Sequence, residues 1–518
     1  MTGDPPPKTG GVHPDEGDVT REHVARGATL ATLSRLGAVI EVIAQPIYTW
    51  AFGIATYGVY TVLWGAVNII ENIVDLSMTT ALQRVIPTER DAAAQHSALK
   101  FAILVAMTPA ILIAALVTIF ATPIAGLISA APEDRATLPM AVALFAWALP
   151  LWTFVEVATS AARAKRAFGP EIRLRIFWEQ VARLVFAVSL YAIGFHRLGL
   201  MIGHLLSLTL TALLSIRLLA RYYDLRMLLT VPVDRRVARA LMATGMSTLP
   251  GAIASRLFVD LPGIILNVLL PGAQGATATG LYAIARKIAS IPMIVRQAFQ
   301  YVLAPLSAAQ AARDRALIGP LYRFASRVSI ALVIPIAGFL ILLAPDILSF
   351  FAPEARAAVS LIVILVAGRA LEALVGPAQT VVEMTGHRGL PVLNSAIGFA
   401  AWATIVWLLV RGEGAMGMAI AVSVAIVVIS WLAAAELAIA DRITAFDRRF
   451  ATGLAVALTG LGVMWALGEL VDPIGARLRA GLIILLFPAV VWLSLRFGLA
   501  GGDRKALGRV GRKLRLSA

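Results

Sequence analysis

The segments FGIATYGVY at residues 52–60 and LPGAQGATATGLY at residues 270–282 are two versions of one junction. Each is uncharged and glycine-rich, and each leads into about twenty largely apolar residues, the length that crosses a bilayer. When Gly58 is aligned with Gly280, Tyr60 aligns with Tyr282 as well. A junction that recurs ahead of a span indicates a chain built from two related halves.

Further matches follow in the same order along the chain, and their spacing shortens only slightly toward the end of each half. They are Pro123 with Pro345, Gly169 with Gly389, and GLMI at 199–202 with GMAI at 417–420. Each half holds six apolar stretches, and six is an even number, so both halves must enter the membrane from the same side. The sequence therefore predicts parallel repeats related by an axis along the membrane normal.

Composition places the chain in a membrane. Hydrophobic residues make up 59% of it and charged residues 14%, with a mean hydropathy of +0.83, whereas soluble domains have about 25% charged residues. The stretches with the length and apolarity of a span are 28–50, 57–82, 99–128, 138–160, 176–195, 198–220, 241–270, 277–303, 326–351, 358–382, 392–410, 414–439, 450–470 and 480–498. The predicted fold class is an all-α integral membrane protein of about 14 transmembrane helices, in two parallel six-helix repeats (V-shaped bundles) plus two extra C-terminal helices.

These stretches also predict the domain organisation. We expect a disordered cytoplasmic tail at 1–27, an N-lobe of spans 1–6 at 28–220, a basic cytoplasmic linker at 221–240, a C-lobe of spans 7–12 at 241–440, spans 13–14 at 441–498, and a basic cytoplasmic tail at 499–518. The acidic, proline-rich start lacks the basic region and short apolar core of a signal peptide, so span 1 is expected to remain in the mature protein.

The placement of charge predicts the topology. The formal net charge is +15, and of 45 Lys and Arg residues, 31 fall on the side of the N terminus and six on the other side. This asymmetry follows the positive-inside rule and predicts that both termini are cytoplasmic. It also argues against nucleic acid as the partner. The basic stretch at 503–518 is most simply a topology signal and an anchor for anionic lipid.

Several site classes are excluded or disfavoured. The chain has no cysteine, which excludes disulfides and thiolate metal sites. Its six histidines form no ligand cluster, and His196 and His204 flank one span, a pattern typical of interfacial histidine. No nucleophile–base pair, phosphate loop or acid–base carboxylate pair is apparent, so we expect no cofactor, no metal and no enzymatic activity.

Ionisable residues inside spans fall into two groups. Each costs about 2.5–3.5 kcal/mol at mid-bilayer and therefore needs a partner or a watery cavity. The first group has a partner one helical turn away, which predicts neutralised pairs inside the bundle. These pairs are Glu179 with Arg183, Arg256 with Asp260, and Arg369 with Glu372.

The second group has no acid one helical turn away on the same span, so its cations are uncompensated there. Span 8 belongs to this group. It carries Arg286, Lys287 and Arg296, yet no Asp or Glu occurs from residue 276 to residue 312. Arg35 in span 1 also lacks an acid within one turn. Because guanidinium grips phosphate bidentately, these cations predict an anionic, phosphate-bearing substrate. The predicted cationic cavity consists of Arg286 first, then Arg35, Arg296, Lys287 and Arg256. Glu41 and Asp260 are the candidates for coupling an ion.

The order of motifs resembles the Wzx-type polysaccharide and oligosaccharide flippases of the multidrug/oligosaccharidyl-lipid/polysaccharide exporter (MOP) superfamily. The resemblance covers spans 1–12, and its motifs are TYGVYTVLWGAVNIIENIVDLSMTTALQRVIP at 56–87, RLFVDLPGIILN at 256–267, GLYAIARKIASIPMIVRQAFQYVLAPLSAAQ at 280–310 and VGPAQTVVEMTGHRGLPVLNSAIG at 375–398. It implies a flippase that moves undecaprenyl-diphosphate-linked oligosaccharide from the cytoplasmic to the periplasmic leaflet of a bacterial inner membrane by alternating access. It also implies a central cationic cavity, onto which Arg286 and Arg35 map.

The resemblance implies partners as well: the diphosphate head of the lipid-linked oligosaccharide, membrane lipid, and the polysaccharide polymerase and export machinery. Two relatives within the superfamily are alternatives. The lipid II flippases usually carry a Pro-Asn and Arg-rich stretch after span 2, where this chain reads ALQRVIPTERDAAAQ at 81–95. The drug/cation antiporters usually stop at twelve spans and rarely have this many cations in their spans.

Overall fold

The structure is a computed structural model that describes residues 40, 42–167, 169, 172–294, 318–384, 389–506 and 514–516. Throughout these residues the secondary structure is helical, and no strand occurs among them. The predicted all-α class is confirmed. Arg35, Glu41 and Arg296, together with the tail at 1–27, lie outside the described residues.

Within the described residues, eleven helices lie between residues 42 and 230. They are α1 (42–52), α2 (Ile54–Val74), α3 (Met78–Val85), α4 (Ala92–Ile119), α5 (Ala121–Ala125), α6 (Pro132–Arg135), α7 (Leu138–Phe145), α8 (Ala148–Ala164), α9 (Glu179–Ala192), α10 (Gly199–Leu219) and α11 (Leu225–Thr230). A π-helical segment, Ile172–Trp178, precedes α9, and a 3₁₀ turn, Ile86–Thr88, follows α3.

The remainder of the described chain continues in the same way. Its helices are α12 (Arg235–Leu269), α13 (Gly272–Ile288), α14 (Ile318–Leu342), α15 (Ala344–Leu348), α16 (Val359–Ala373), α17 (Ala378–Met384), α18 (Leu390–Glu413), α19 (Ala415–Ala440), α20 (Arg448–Val471), α21 (Ala476–Gly498) and α22 (Gly501–Ala506). Two 3₁₀ segments, Pro353–Ala358 and Asp472–Ile474, join neighbouring helices.

Nine helical runs in the described residues are long and apolar enough to cross a membrane. A tenth results if α2 and the following Met78–Thr88, which meet at a bend of 46°, count as one span. The other predicted spans, 28–50, 176–195, 277–303 and 358–382, correspond to shorter described helices or lie partly outside the described residues. The chain is a multi-pass membrane protein, and fourteen as the number of spans stays a prediction.

The two halves use the same helix neighbours. In the first half α4 packs on α8, α8 on α10, and α9 on α10. In the second half α14 packs on α16, α16 on α19, and α18 on α19, which are the corresponding spans of the repeat. The repeat expected from the sequence is therefore present as a repeat of packing.

The quoted junctions form a close contact between the halves. A Cβ on Gly58 would lie 1.9 Å from the Ala276 carbonyl oxygen, and a Cβ on Gly280 would lie 2.3 Å from the Ile54 carbonyl oxygen. Ala276 is the repeat equivalent of Ile54, just as Gly280 is of Gly58, so the two contacts are one contact repeated in both directions. Such reciprocity is the property of a two-fold axis. Glycine is required at both positions because α2 and α13 cross backbone to backbone.

Both junctions lie at the same end of the molecule. The Trp50 indole N–H, just before the first junction, donates to the Phe350 carbonyl oxygen (3.0 Å). Ser129, in the loop between α5 and α6, donates its hydroxyl to the Leu270 carbonyl oxygen (2.6 Å) and its backbone N–H to the Asn267 side chain (2.9 Å). Loops that precede or connect corresponding spans thus meet at one end, as parallel repeats require and inverted repeats do not allow.

The last two long helices pack outside the repeat. Helices α20 and α21 pair with each other and both pack on α14. Gly453 and Gly498 permit their close approach, since a Cβ on either would lie within 2.9 Å of the other's Cα. At the end of the molecule opposite the junctions, which we call the basic end, Arg327 bonds Asp447 and, at 2.6 Å, Asp503.

Asp447 also caps α20 through the Phe450 N–H. Burial works against its charge, but the hydrogen bonds from Arg327 and from the Phe450 N–H outweigh burial and lower its pKa. Asp447 therefore stays ionised and ties α14 to the start of α20.

Candidate functional site

One carboxylate lies between two arginines where the halves meet. Asp260 Oδ2 is 3.5 Å from Arg256 Nε on the same helix, and Asp260 Oδ1 is 3.7 Å from Arg286 Nη1 on α13. The Asp260 side chain is 7% exposed, so its charge is largely removed from water. We call Arg256, Asp260 and Arg286 the central triad.

The arrangement follows from the local sequence. Leu270 and Pro271 alone separate α12 from α13, and Gly272 has a φ of 56°, the left-handed region that favours glycine. The two helices must therefore run side by side in opposite directions. Thr279 Oγ1 contacts the Gly263 carbonyl oxygen across this hairpin at 3.4 Å. The two helices stay paired as far as the central triad, which lies further from the connection between them than Thr279 and Gly263 do.

The expectation that Arg286 is uncompensated is wrong. It rested on the absence of acids from span 8 itself. The structure places Asp260 beside Arg286, and Arg286 Nη1 also donates to the Val259 carbonyl oxygen (2.7 Å). Searching the sequence within one helical turn of Arg286 can find only partners on the same helix. Asp260 lies on the neighbouring helix α12, so this search does not find it.

Arg286 is the most exposed of four arginines that lie near the contact between the halves. Its side chain is 39% exposed, against 31% for Arg256 and 20% for Arg369 and Arg175. Lys287 is half-buried and follows Arg286 by one residue, about 100° round the helix. Of the predicted site residues, the structure thus brings Arg256, Asp260 and Arg286 together.

The first half contributes acids and one unexpected cation to the same region. Arg256 Nη2 donates to the Asn68 side chain of α2 (3.3 Å). Glu71, one turn further along α2, interacts electrostatically with Arg256, Arg175 and Glu156. These contacts place the acidic residues of α2 and α8 next to the central triad.

Arg175 is the residue that sequence reasoning missed. The predicted topology puts it in a cytoplasmic loop, but in the π-helical segment its guanidinium forms an ion pair with Glu156 and lies 4.8 Å from the Trp152 ring centroid. This pair neutralises Glu156. Only the run RLRIFWEQ, whose cations lead directly into the buried Glu179, could have indicated that Arg175 turns inward.

A second polar network lies within the first half. Glu179 and Arg183 form the predicted ion pair, and both side chains are at most 7% exposed. Arg183 Nη1 donates to the Tyr60 hydroxyl (3.2 Å), which also bonds His204 Nδ1 (3.1 Å). His204 is fully buried and lies 4.4 Å from the Trp64 ring centroid, so the expectation of an interfacial histidine is wrong for it.

The repeat partner of Tyr60 is in a different environment. The Tyr282 hydroxyl is buried and has no hydrogen-bond partner within the described residues, although Arg286 and Arg369 interact with it electrostatically. Arg369 forms the expected ion pair with Glu372 at 2.9 Å. Among the described residues, no group of three His, Asp or Glu side chains could hold a metal ion.

Comparison with known proteins shows the family and the fold of the chain. The sequence model of a family described as "Polysaccharide biosynthesis protein" matches residues 52–354, which is more than half of the chain. The chain belongs to this family. No curated protein matches the sequence significantly.

Solved structures share the fold of this chain. The lipid II flippase MurJ in an inward closed conformation is 12% identical, with a TM-score of 0.71 over 90% of this chain and 99% of that chain. An inward-facing multidrug resistance MATE family transporter of the MOP superfamily is 15% identical, with a TM-score of 0.61 over 78% and 92%. A MOP superfamily transporter from Pyrococcus furiosus is 14% identical, with a TM-score of 0.56 over 78% and 93%. The fold is thus that of MOP flippases and transporters.

Proposed function

We propose that this member of the polysaccharide biosynthesis family is a flippase without enzymatic activity. It moves undecaprenyl-diphosphate-linked oligosaccharide from the cytoplasmic to the periplasmic leaflet of a bacterial inner membrane. Support comes from the family, from a fold shared with a lipid II flippase, and from the central triad. In this proposal both termini and the basic end are cytoplasmic, and the polymerase and export machinery receive the glycan.

The observation that carries the proposal is the sharing of Asp260 by two arginines. At 3.5 and 3.7 Å, neither contact of Asp260 has the length of a close hydrogen-bonded pair. A diphosphate offers more negative charge and more acceptor oxygens than one carboxylate, so it can bridge Arg256 and Arg286 and displace Asp260. The exposed part of Arg286 gives such a ligand a point of first contact.

Alternating access then follows from the two halves. Because α2 of the first half packs on α12 and α13 of the second, the triad lies where one half moves against the other. A phosphate bound there interacts with both halves and can favour one arrangement over another only through a difference in affinity. The drive is expected to be secondary, through an ion gradient, the membrane potential or consumption of the glycan, with Asp260 and Glu41 as the candidate coupling carboxylates.

Two other substrates of the superfamily remain as alternatives. The similarity to the lipid II flippase over most of the chain keeps a lipid II-like substrate in view. The similarity to MATE transporters, over a smaller part of the chain, keeps a drug or cation in view. Both arginines of the triad favour a phosphate-bearing ligand over a cation.

Flipping in proteoliposomes tests the proposal. With a fluorescent undecaprenyl-diphosphate oligosaccharide, Arg286→Ala should lower the rate about tenfold or more, because a charge-assisted contact is worth about 1.5–3 kcal/mol. The matched control is Arg183→Ala, which should mainly lower the amount of folded protein because it leaves Glu179 buried without its ion-pair partner. Normal flipping by Arg286→Ala would contradict the phosphate assignment.

A further inference from the structure

The basic end carries a cleft lined by three arginines, away from the central triad. The cleft is a shallow depression, largely open to the surroundings, with a volume of about 440 Å³, formed by Arg235, Arg236, Arg239, Ala240 and Ala243 at the start of α12. Arg236 bonds both oxygens of Glu89 at 2.9 and 2.7 Å. Arg235 and Arg239 are exposed and form no ion pair within the described residues.

The position of these arginines is unfavourable for the helix itself. The first turn of α12 has no acidic residue, and its free N–H groups already carry partial positive charge. Asp234 caps the helix, accepting the Arg236 N–H at 2.7 Å, and Glu89 pairs with Arg236, so within the described residues Arg235 and Arg239 have no acid bonded to them. An anion in the cleft would satisfy both the guanidinium groups and the helix terminus.

The segment before the cleft is held in place rather than loosely attached. Lys100 of α4 donates to the carbonyl oxygens of Leu229 and Val231, both at 2.8 Å. The Asp234 N–H donates to the Ser97 hydroxyl at 2.7 Å. The three arginines are therefore presented on a fixed support, which lowers the entropic cost of binding a ligand.

Apolar side chains on the same segment indicate a ligand that resides in a membrane. Leu229 is 78% exposed, and Val233 and Tyr222 are each 37% exposed. Exposed apolar and aromatic residues beside arginines are typical of a surface at the level of lipid headgroups. A ligand that reaches this cleft from the bilayer would present its phosphates to the arginines.

The cleft is continuous with an exposed line of residues on α12. Positions four residues apart, from Arg239 through Ala243, Ser247, Gly251 and Ser255 to Val259, are all exposed. The four between the ends are small residues, which differ from the large apolar side chains expected against lipid tails. The line ends at Val259, whose carbonyl oxygen accepts a hydrogen bond from Arg286 of the central triad.

We propose that the cleft is a loading site for the diphosphate head of a lipid in the leaflet at the basic end. This inference rests on the proposed function, because it makes the cleft the first of two phosphate sites on one substrate. Arg235 and Arg239, beside Arg236 that is already paired with Glu89, match the multiple charges of a diphosphate better than the single charge of a common anionic phospholipid. The exposed line on α12 then connects the first site with the second.

Binding to the full chain in phosphatidylcholine nanodiscs tests the inference. The probe is undecaprenyl diphosphate, with undecaprenol and phosphatidylglycerol as comparison ligands, and Arg286→Ala is the background that reports the cleft. Arg235→Gln with Arg239→Gln should weaken binding of the diphosphate about tenfold or more. The variant should not unfold at a lower temperature, because it removes cations that oppose the dipole of α12.

The matched control is Arg448→Gln with Arg449→Gln, which removes two exposed arginines from the first turn of α20. Its binding should stay within about twofold of the Arg286→Ala background, since each tenfold change requires the loss of about 1.4 kcal/mol. Equal losses in both double variants, or equally tight binding of phosphatidylglycerol, would overturn the loading site. If the chain with Arg286 intact fails to bind the diphosphate at all, the proposed function fails with it.

Discussion

Two tyrosines at equivalent positions of the repeat have opposite environments. Tyr60 bonds Arg183 and His204, whereas the buried Tyr282 hydroxyl has no hydrogen-bond partner within the described residues. A buried hydroxyl without a partner costs about 1–3 kcal/mol. The same residue type is therefore hydrogen-bonded in one half and, within the described residues, has no hydrogen-bond partner in the other.

Replacing each tyrosine by phenylalanine separates these roles. Tyr60→Phe should destabilise the protein by about 1–3 kcal/mol, because Arg183 and His204 lose a buried partner. Tyr282→Phe should leave the apparent melting temperature unchanged or raise it, since no hydrogen bond is lost. Thermal unfolding in one detergent measures both variants. A larger loss for Tyr282→Phe than for Tyr60→Phe would show that the hydroxyl has a structural partner.

At the scale of single residues, the sequence predicts ion pairs between residues of the same helix. Spacing of three or four residues correctly pairs Arg183 with Glu179 and Arg369 with Glu372. It does not find Asp260 beside Arg286, because that contact depends on how two helices pack. Arg175 was missed for a related reason, since a π-helical segment turns its side chain inward from what reads as a loop.

Among the helices, α2 and α13 cross so closely that only glycine fits at the crossing. A side chain at Gly280 would meet the Ile54 carbonyl oxygen, and backbone atoms cannot move aside as a flexible side chain can. Glycine elsewhere in a helix has a different effect, because its replacement usually raises helix propensity by up to about 1 kcal/mol. Whether replacing a helical glycine lowers or raises the stability of the protein therefore indicates whether two backbones come close at that position.

Gly280→Leu should separate α2 from α13 and lower the amount of folded protein in the membrane. Gly481→Leu is the control: Gly481 also lies in a long helix, but a Cβ there would have no atom within 4 Å. We expect the control variant to accumulate at the level of the unchanged protein. Membrane fractions quantified by immunoblot give the answer, and similar yields of the two variants would exclude a tight crossing at Gly280.

The repeat itself was readable from sequence because the crossing needs glycine twice. Gly58 and Gly280 are held by the same backbone constraint. The bend between α2 and α3 gave no such signal, since Leu76 and Ser77 have positive φ values although neither is glycine. Tertiary packing fixes that bend, and local propensity does not reveal it.

For the whole molecule, the contacts near the junctions close one end. Ser129 of the first half and Asn267 of the second exchange two hydrogen bonds, and the Asn267 side chain is fully buried. Trp50 and Phe350 add a further contact between the halves at the same end. An alternating-access cycle must break these contacts to open that end.

A cross-link across this end should stop transport. The chain has no cysteine, so Ser129→Cys with Asn267→Cys would be the only thiols, and a short reducible cross-linker should abolish flipping until it is reduced. The control pair, Thr56→Cys with Asp134→Cys, joins two contacting side chains within the first half. It should leave flipping intact. Full activity with Ser129 and Asn267 cross-linked would mean that this end need not open.

Asp134 gives the same end a dependence on pH. It accepts a hydrogen bond from the Thr56 hydroxyl at 2.8 Å, and its burial raises its pKa despite that bond and the nearby Arg197. The raised pKa means that burial penalises the ionised form of Asp134. The contribution of this carboxyl to the free energy of unfolding is therefore greatest below its usual pKa and is lost as the pH rises through the raised value. Thermal unfolding of Asp134→Asn across this range should depend less on pH than that of the unchanged protein.

The reciprocal contact of the two glycines has a consequence for how such a protein can arise. Two identical six-helix chains could make the same contact as a homodimer, and gene duplication with fusion would preserve it. In the homodimer every side chain near the axis would occur twice. In the fused chain, the alignment of Gly58 with Gly280 puts Trp64 of the first half at the position of Arg286. Fusion therefore allows a charge to be placed on one side of the axis only, a choice that a symmetric ancestor could not make.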